Sequence, residues 1–148
     1  MTRPPHILLV ESLYYTHIAA ELRRGAERAL ASVGATHERI AVPGAFEIPA
    51  AIGIAGRTSE RFDGFVALGC VIRGETTHYD HICAESARGL QDLAIRDGLA
   101  IGYGILTVEN EAQALARASP DGRDKGGEAV RACLAIVALK RRLAGNGG

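Results

Sequence analysis

The chain has 148 residues, of which 47% are hydrophobic, and its 17 Lys+Arg balance its 17 Asp+Glu. That length suits one domain, residues 1–148, with a core of its own, and the charge balance supplies no field to gather nucleic acid or an anionic membrane. No apolar run approaches the roughly 20 residues of a membrane span, and Met1-Thr2-Arg3-Pro4-Pro5 leads into a strand rather than a signal-peptide core; a cytoplasmic protein with neither nucleic acid nor membrane as partner is expected.

Residues 6–10 read as a short buried strand, followed by two adjacent aromatics, Tyr14 and Tyr15. Thr16 can cap a helix whose apolar positions Ile18, Leu22, Ala26, Ala29, Leu30 and Val33 recur at helical spacing, and Gly34 ends it. A second strand, about 36–42, runs into Pro43-Gly44-Ala45-Phe46-Glu47-Ile48-Pro49, a rigid corner around one carboxylate. Pro49 suits the first turn of a helix reaching residue 55 or 59. Residues 65–72 are continuously apolar, as in a central strand buried on both faces. A helix over about 80–98 places Ile82, Ser86, Gly89, Leu90 and Leu93 on one face. A fourth strand, 100–107, leads through Glu109 and Asn110 into a short helix ending near Ala118. A break at 119–124 precedes a last helix, about 125–144, whose apolar residues Val130, Cys133, Leu134, Ile136, Val137, Leu139 and Leu143 cover most of its circumference.

Strands alternating with helices predict an α/β fold: a three-layer αβα sandwich around a four-stranded parallel sheet. The last helix, apolar nearly all round, argues for packing between identical subunits. Cys70, Cys83 and Cys133 stand in apolar or helical contexts without C-x-x-C spacing and read as reduced core residues.

Ligands of such sheets sit beyond the carboxyl ends of the strands, so the exit of the third strand, Arg73-Gly74-Glu75-Thr76-Thr77-His78-Tyr79-Asp80, is the first place to look for a site. His78 carries an imidazole, the side-chain type suited to moving protons in either direction, or it is a helix-start histidine packing on its neighbours. Its spacing to His81, with Cys83 and Glu85 nearby, supplies too few ligands for zinc. Gly69 and Gly74 stand at P-loop spacing, yet Glu75 and Thr76 occupy the places of the Lys and Ser/Thr. The N–H groups of residues 74–76 can still hold a single phosphate, or merely begin a helix. Arg117 and Lys125 flank the last turn as surface cations unless an anion sits opposite. Glu47 is a candidate reader of hydroxyls or ring N–H groups, or a cap. Tyr14 and Tyr103, each placed at the carboxyl end of a strand, are either stacking partners for a flat heterocycle or core aromatics.

The blocks Val42-Pro43-Gly44-Ala45-Phe46-Glu47-Ile48-Pro49, Gly69-Cys70-Val71-Ile72-Arg73-Gly74-Glu75-Thr76-Thr77-His78-Tyr79-Asp80, Gly104-Ile105-Leu106-Thr107-Val108-Glu109-Asn110 and Lys125-Gly126-Gly127-Glu128-Ala129 closely resemble the lumazine synthase family, in order over nearly the whole chain. The resemblance implies a flavodoxin-like fold of the lumazine synthase type. It also implies the penultimate step of riboflavin biosynthesis, in which a ribitylamino-pyrimidinedione amine condenses with dihydroxybutanone phosphate, without cofactor or metal. It assigns ring stacking to Tyr14, the ribityl chain to Ala45, Phe46 and Glu47, and ring contacts to the backbone of Cys70, Val71 and Ile72. It assigns phosphate to Glu75, Thr76, Arg117 and Lys125, proton transfer to His78, and closure of the pocket to Tyr103. Family members are pentamers, some assembled twelvefold into a 60-subunit shell, with Tyr103, Arg117 and Lys125 arriving from the adjacent chain. The Tyr14-Tyr15 pair departs from the family's usual Phe followed by a small polar residue, and leaves open which ring faces the substrate. A non-catalytic lumazine- or flavin-binding or shell-forming protein of the same fold is the alternative. A phospho-accepting receiver is discarded, because Cys70 and Val71 stand where its Asp would be.

Overall fold

The computed structural model describes residues 3–145. Along them run β1 (His6–Ser12), α1 (Thr16–Ser32), β2 (Thr36–Val42), a 3-10 turn (Ala45–Glu47), α2 (Ile48–Thr58), β3 (Gly64–Ile72), α3 (His78–Asp97), β4 (Ile101–Val108), α4 (Glu111–Ala118) and α5 (Lys125–Leu143). All strand pairs are parallel, in the order β2-β1-β3-β4. The expected three-layer αβα sandwich is what forms.

Alternate residues of a strand point to opposite faces, and β1 and β3 are apolar on both. On one face Ile7, Leu9, Val66, Leu68 and Leu106 meet Ile18, Leu22 and Leu30 of α1 and Val130, Cys133 and Val137 of α5. On the other, Leu8, Val10, Phe65, Ala67 and Ile105 meet Ile48 and Ile52 of α2 and Leu90 of α3. Each fully buried Leu or Ile contributes about 1.5–3 kcal/mol. Two glycines decide how closely α5 sits. A Cβ on Gly126 would lie 2.1 Å from the Leu22 carbonyl oxygen, and one on Gly102 would lie 2.0 Å from that of Ala129. The chain turns into α5 at Asp124, which adopts φ 49° and accepts a bond from Gly127 N–H at 3.3 Å. Glu11, 3% exposed, is the buried carboxylate of this layer; Arg23 lies 3.3 Å away and Arg39 3.8 Å away, which supplies the partners a buried charge requires.

Several boundaries differ from the sequence-based expectation. Thr16 is the first residue of α1, not its cap; Tyr15 holds the cap position without a side-chain bond. β4 runs one residue further than expected, because its ladder with β3 continues to Ile72 and Val108. α3 begins at His78 rather than near Asp80, so the histidine opens the helix instead of preceding it. Tyr103 is the third residue of β4, opposite Ala67, and not at the strand's carboxyl end. Cys70, Cys83 and Cys133 are free thiols, the first and last buried.

Candidate active site

β3 outruns its neighbour. Its pairing with β1 stops at Glu11 and Leu68, whereas its pairing with β4 continues to Ile72. On the β1 side, residues 69–72 therefore lie beyond the ladder, with main-chain groups available to a ligand. Gly69 is the point where three elements meet: a Cβ there would lie 3.3 Å from both Ser12 Cβ and Ile48 Cδ1. The end of β1 and the start of α2 thus stand against the β3 overhang.

Tyr14 and the 45–47 turn border this edge. Tyr14 and Tyr15 pack edge to face, ring centroids 4.9 Å apart. Tyr15 is drawn into the core beside α1, and burial first, then nearby Cys70, raises its phenol pKa. Tyr14 stays 75% exposed and is the ring free to stack. Ala45 is buried under the turn, while Phe46 and Glu47 are exposed. Burial pushes the Cys70 thiol up to about 12, so this residue offers its backbone rather than a thiolate. Val71 and Ile72 are half-buried.

Beyond β3, residues 73–78 are all exposed, and a Cβ on Gly74 would meet nothing. Thr77 precedes α3 without a side-chain cap bond, and Thr76 Oγ1 accepts from His78 N–H at 3.3 Å. The start of α3 turns the positive end of its dipole toward this loop, and Thr76 and Glu75 stand one and two residues ahead of its cap, Thr77. The exposed Glu75 carboxylate has room to face solvent. The His78 ring makes no hydrogen bond to any described residue.

The remaining candidates lie elsewhere. Arg117 stands in the last turn of α4, with Nη1 donating to the Gln113 carbonyl at 3.1 Å, and Lys125 opens α5, paired with Glu128 at 3.1 Å. Both helices pack with α1, whereas α3 covers the opposite face of the sheet. Tyr103 points to the α3 face, 45% exposed; burial raises its pKa, partly offset by a bond to the Ser86 hydroxyl. Among the described residues no three of His, Cys, Asp and Glu gather as a metal-binding set, and His78, His81, Cys83 and Glu85 do not converge. No described helix is long and apolar enough to cross a membrane. One residue escaped the sequence reading. Arg73, directly after β3, bonds Glu109, directly after β4, at 2.8 Å; opposite charges following two strands that end together were the available signal.

An open parallel sheet with an overhanging central strand, and with an imidazole on the first residue of the helix that follows it, defines an α/β protein of the class whose ligands lie beyond the carboxyl ends of the strands. The particular family follows from comparison with known proteins. Residues 4–141 match the profile of the 6,7-dimethyl-8-ribityllumazine synthases, and the chain belongs to that family. It is 50% identical to the 6,7-dimethyl-8-ribityllumazine synthase of Bartonella tribocorum, over 99% of this chain and 97% of the relative. It is 56% identical to that of Sphingopyxis alaskensis, over 93% and 96%, and 52% identical to that of Agrobacterium fabrum, over 95% and 98%.

Proposed function

We propose that this chain is a lumazine synthase: it joins the amine of a ribitylamino-pyrimidinedione to dihydroxybutanone phosphate, giving dimethyl-ribityllumazine, phosphate and water. It is a transferase of riboflavin biosynthesis, acting in the cytoplasm as a single domain over residues 1–148 and as a pentamer of identical subunits. One observation carries the reading beyond family membership: Tyr14, the 45–47 turn, the β3 overhang and the loop before His78 border one edge of the sheet.

Each part has a physical role. Tyr14 stacks on the pyrimidine, whose flat face suits an exposed ring. Residues 70–72 bond its edge through main-chain groups outside the ladder, and Glu47 accepts from ribityl hydroxyls lying over Ala45 and Phe46. The N–H groups of Glu75 and Thr76, with the Thr76 hydroxyl, hold the phosphate of the second substrate. The amine attacks the ketone carbon, and His78 carries its proton to the oxygen that leaves as water, forming the imine. His78 then removes the proton from the hydroxyl-bearing carbon as the C–O bond to phosphate breaks, and a proton returned to the terminal carbon turns the resulting enol into a methyl ketone, which the ribityl-bearing nitrogen attacks to close the ring with loss of a second water. Every step is a proton transfer, an elimination or a dehydration, so the scheme calls for no cofactor or metal. Arg117 and Lys125, set in the opposite layer from α3, neutralise the phosphate of a neighbouring subunit's site, and Tyr103 covers the heterocycle there.

The test is to mix purified protein with both substrates and follow the coloured, fluorescent product together with released phosphate in equal amount. Lumazine bound without any turnover would overturn the enzyme reading in favour of a carrier.

A further inference from the structure

The loop that would cradle the phosphate, residues 74–77, has little of its own to hold it. Its residues are exposed, Gly74 has open space around it, and Thr77 lends no side-chain cap to α3. Its two ends are joined instead by one side chain. Arg73 N–H donates to the Val108 carbonyl at 2.9 Å, extending the β3–β4 ladder by one bond. Its Nε donates to Glu109 Oε2 at 2.8 Å, its guanidinium lies 4.4 Å from the centre of the Tyr79 ring, and Nη1 is 3.9 Å from Asp80 Oδ1. The residue entering the loop is thus fastened both to the β4–α4 turn and to the first turn of α3, the turn that begins with His78.

We propose that Arg73 is a positioning residue of this enzyme: braced by Glu109 and stacked on Tyr79, it fixes the loop 74–77 and the first turn of α3 so that the phosphate donors and the His78 ring keep one geometry. A planar fork meets a carboxylate with its edge and an aromatic ring with its flat face, a fixed geometry that a compact ammonium does not reproduce. Its Nε is taken by Glu109 and its flat face by Tyr79, the two contacts that fix the guanidinium beside the loop. The inference rests on the function proposed above.

Three variants, Arg73→Gln, Arg73→Lys and Glu109→Gln, are compared with wild type in steady-state kinetics for each substrate and in backbone amide exchange. Arg73→Gln is expected to raise KM for the phosphorylated ketone about tenfold, the scale of one charge-assisted bond, with KM for the pyrimidine unchanged; Arg73→Lys recovers only part. Glu109→Gln raises the same KM, because it loosens the brace while leaving the guanidinium in place. Amides of residues 74–79 exchange faster in Arg73→Gln, and those of β1 do not. A lower KM in Glu109→Gln would make Arg73 a direct phosphate ligand and overturn the proposal, as would equal rises in both KM values or unchanged exchange at 74–79. Wild-type protein that forms no product would sink the functional reading alone, since the exchange comparison still decides the brace.

Discussion

Placing His78 and Arg117 in opposite layers of one chain has a countable consequence if each site is completed by a neighbour. Consider His78→Ala and Arg117→Ala subunits, each crippling every site when alone, because each homogeneous ring lacks one group at all its interfaces. In a ring mixed at random from equal amounts, a site works when its own chain keeps His78 and the neighbour keeps Arg117. Each condition holds for half the chains, so about a quarter of the sites are intact, whatever the number of subunits in a head-to-tail ring. Each parent is expected to retain about 1% of wild-type kcat/KM: His78→Ala through lost proton transfer, Arg117→Ala through a lost charge-assisted contact to phosphate at limiting ketone. The mixture should therefore recover many-fold over either parent. The assay is product fluorescence after co-expression with two affinity tags and purification through both. A mixed oligomer no more active than the mean of its parents would refute the shared site and place both groups in one chain's pocket.

His78→Ala alone should lower kcat about a hundredfold, toward the small end of the range for general acid–base catalysis, because the ring is exposed and water can replace it. Holding the reactants together, worth roughly 7–11 kcal/mol, remains; a loss beyond about 10⁴-fold in single-turnover kinetics would contradict this. Gly126→Ala should destabilise by about 1–3 kcal/mol through overpacking against the Leu22 carbonyl, more than the roughly 1 kcal/mol an alanine gains in a helix. Gly53→Ala, whose nearest neighbours are the flexible ends of Arg57 and Leu93 at 3.2 and 3.4 Å, should be neutral or stabilising, and urea midpoints at equal protein concentration decide the signs. The Arg61 guanidinium first, and the His6 ring second, hold the Glu38 carboxyl down to about 2. A carboxyl depressed by folding contributes stability above its unfolded pKa of about 4 and loses it as pH falls toward 2. Glu38→Gln should flatten the decline of the urea midpoint between about pH 5 and pH 2, with a small amplitude because the pair is exposed and screened by salt.

The strands buried on both faces were the most legible elements, because an uninterrupted apolar run must be covered by helices from both sides. Residues 65–72 lie within β3, and even the polar β2 was found from the turn residues on either side of it. Position along β4 was less legible. Gly102 is there to admit the α5 backbone, and Gly104 sits close against the Ala67 carbonyl of β3 and the Ala129 side chain of α5, contacts between elements far apart in sequence. The glycines bracketing Tyr103 blur the alternation that would have placed it mid-strand on the α3 face. Buried Glu11 was invisible for the same reason, since its partners Arg23 and Arg39 come from α1 and β2. The start of α3 was misplaced because Gly-Glu-Thr-Thr carries turn chemistry, while the helix begins without the side-chain cap that its residues advertise.

The aromatics assigned to the substrate tie these threads to assembly. Phe65 is 3% exposed, whereas Tyr14 is 75%, Phe46 54% and Tyr103 45% exposed, and a covered aromatic buries about 150–250 Å². Tyr14 lies just past β1, and the 45–47 turn just past β2, so a ligand bound as proposed at the carboxyl edge would cover both Tyr14 and Phe46. Tyr103 is different. It stands five residues before the end of β4, roughly 17 Å along the strand at about 3.3 Å per residue, and its strand lies two positions from β1, roughly 10 Å across the sheet. A ligand stacked on Tyr14 cannot also reach Tyr103 of the same chain through α3. Since β4 is an edge strand, a second copy can bring its own Tyr103 over the first copy's Tyr14. In the assembly proposed above, one substrate would cover two rings that each chain alone leaves in water, and substrate binding and subunit contact would stabilise one another.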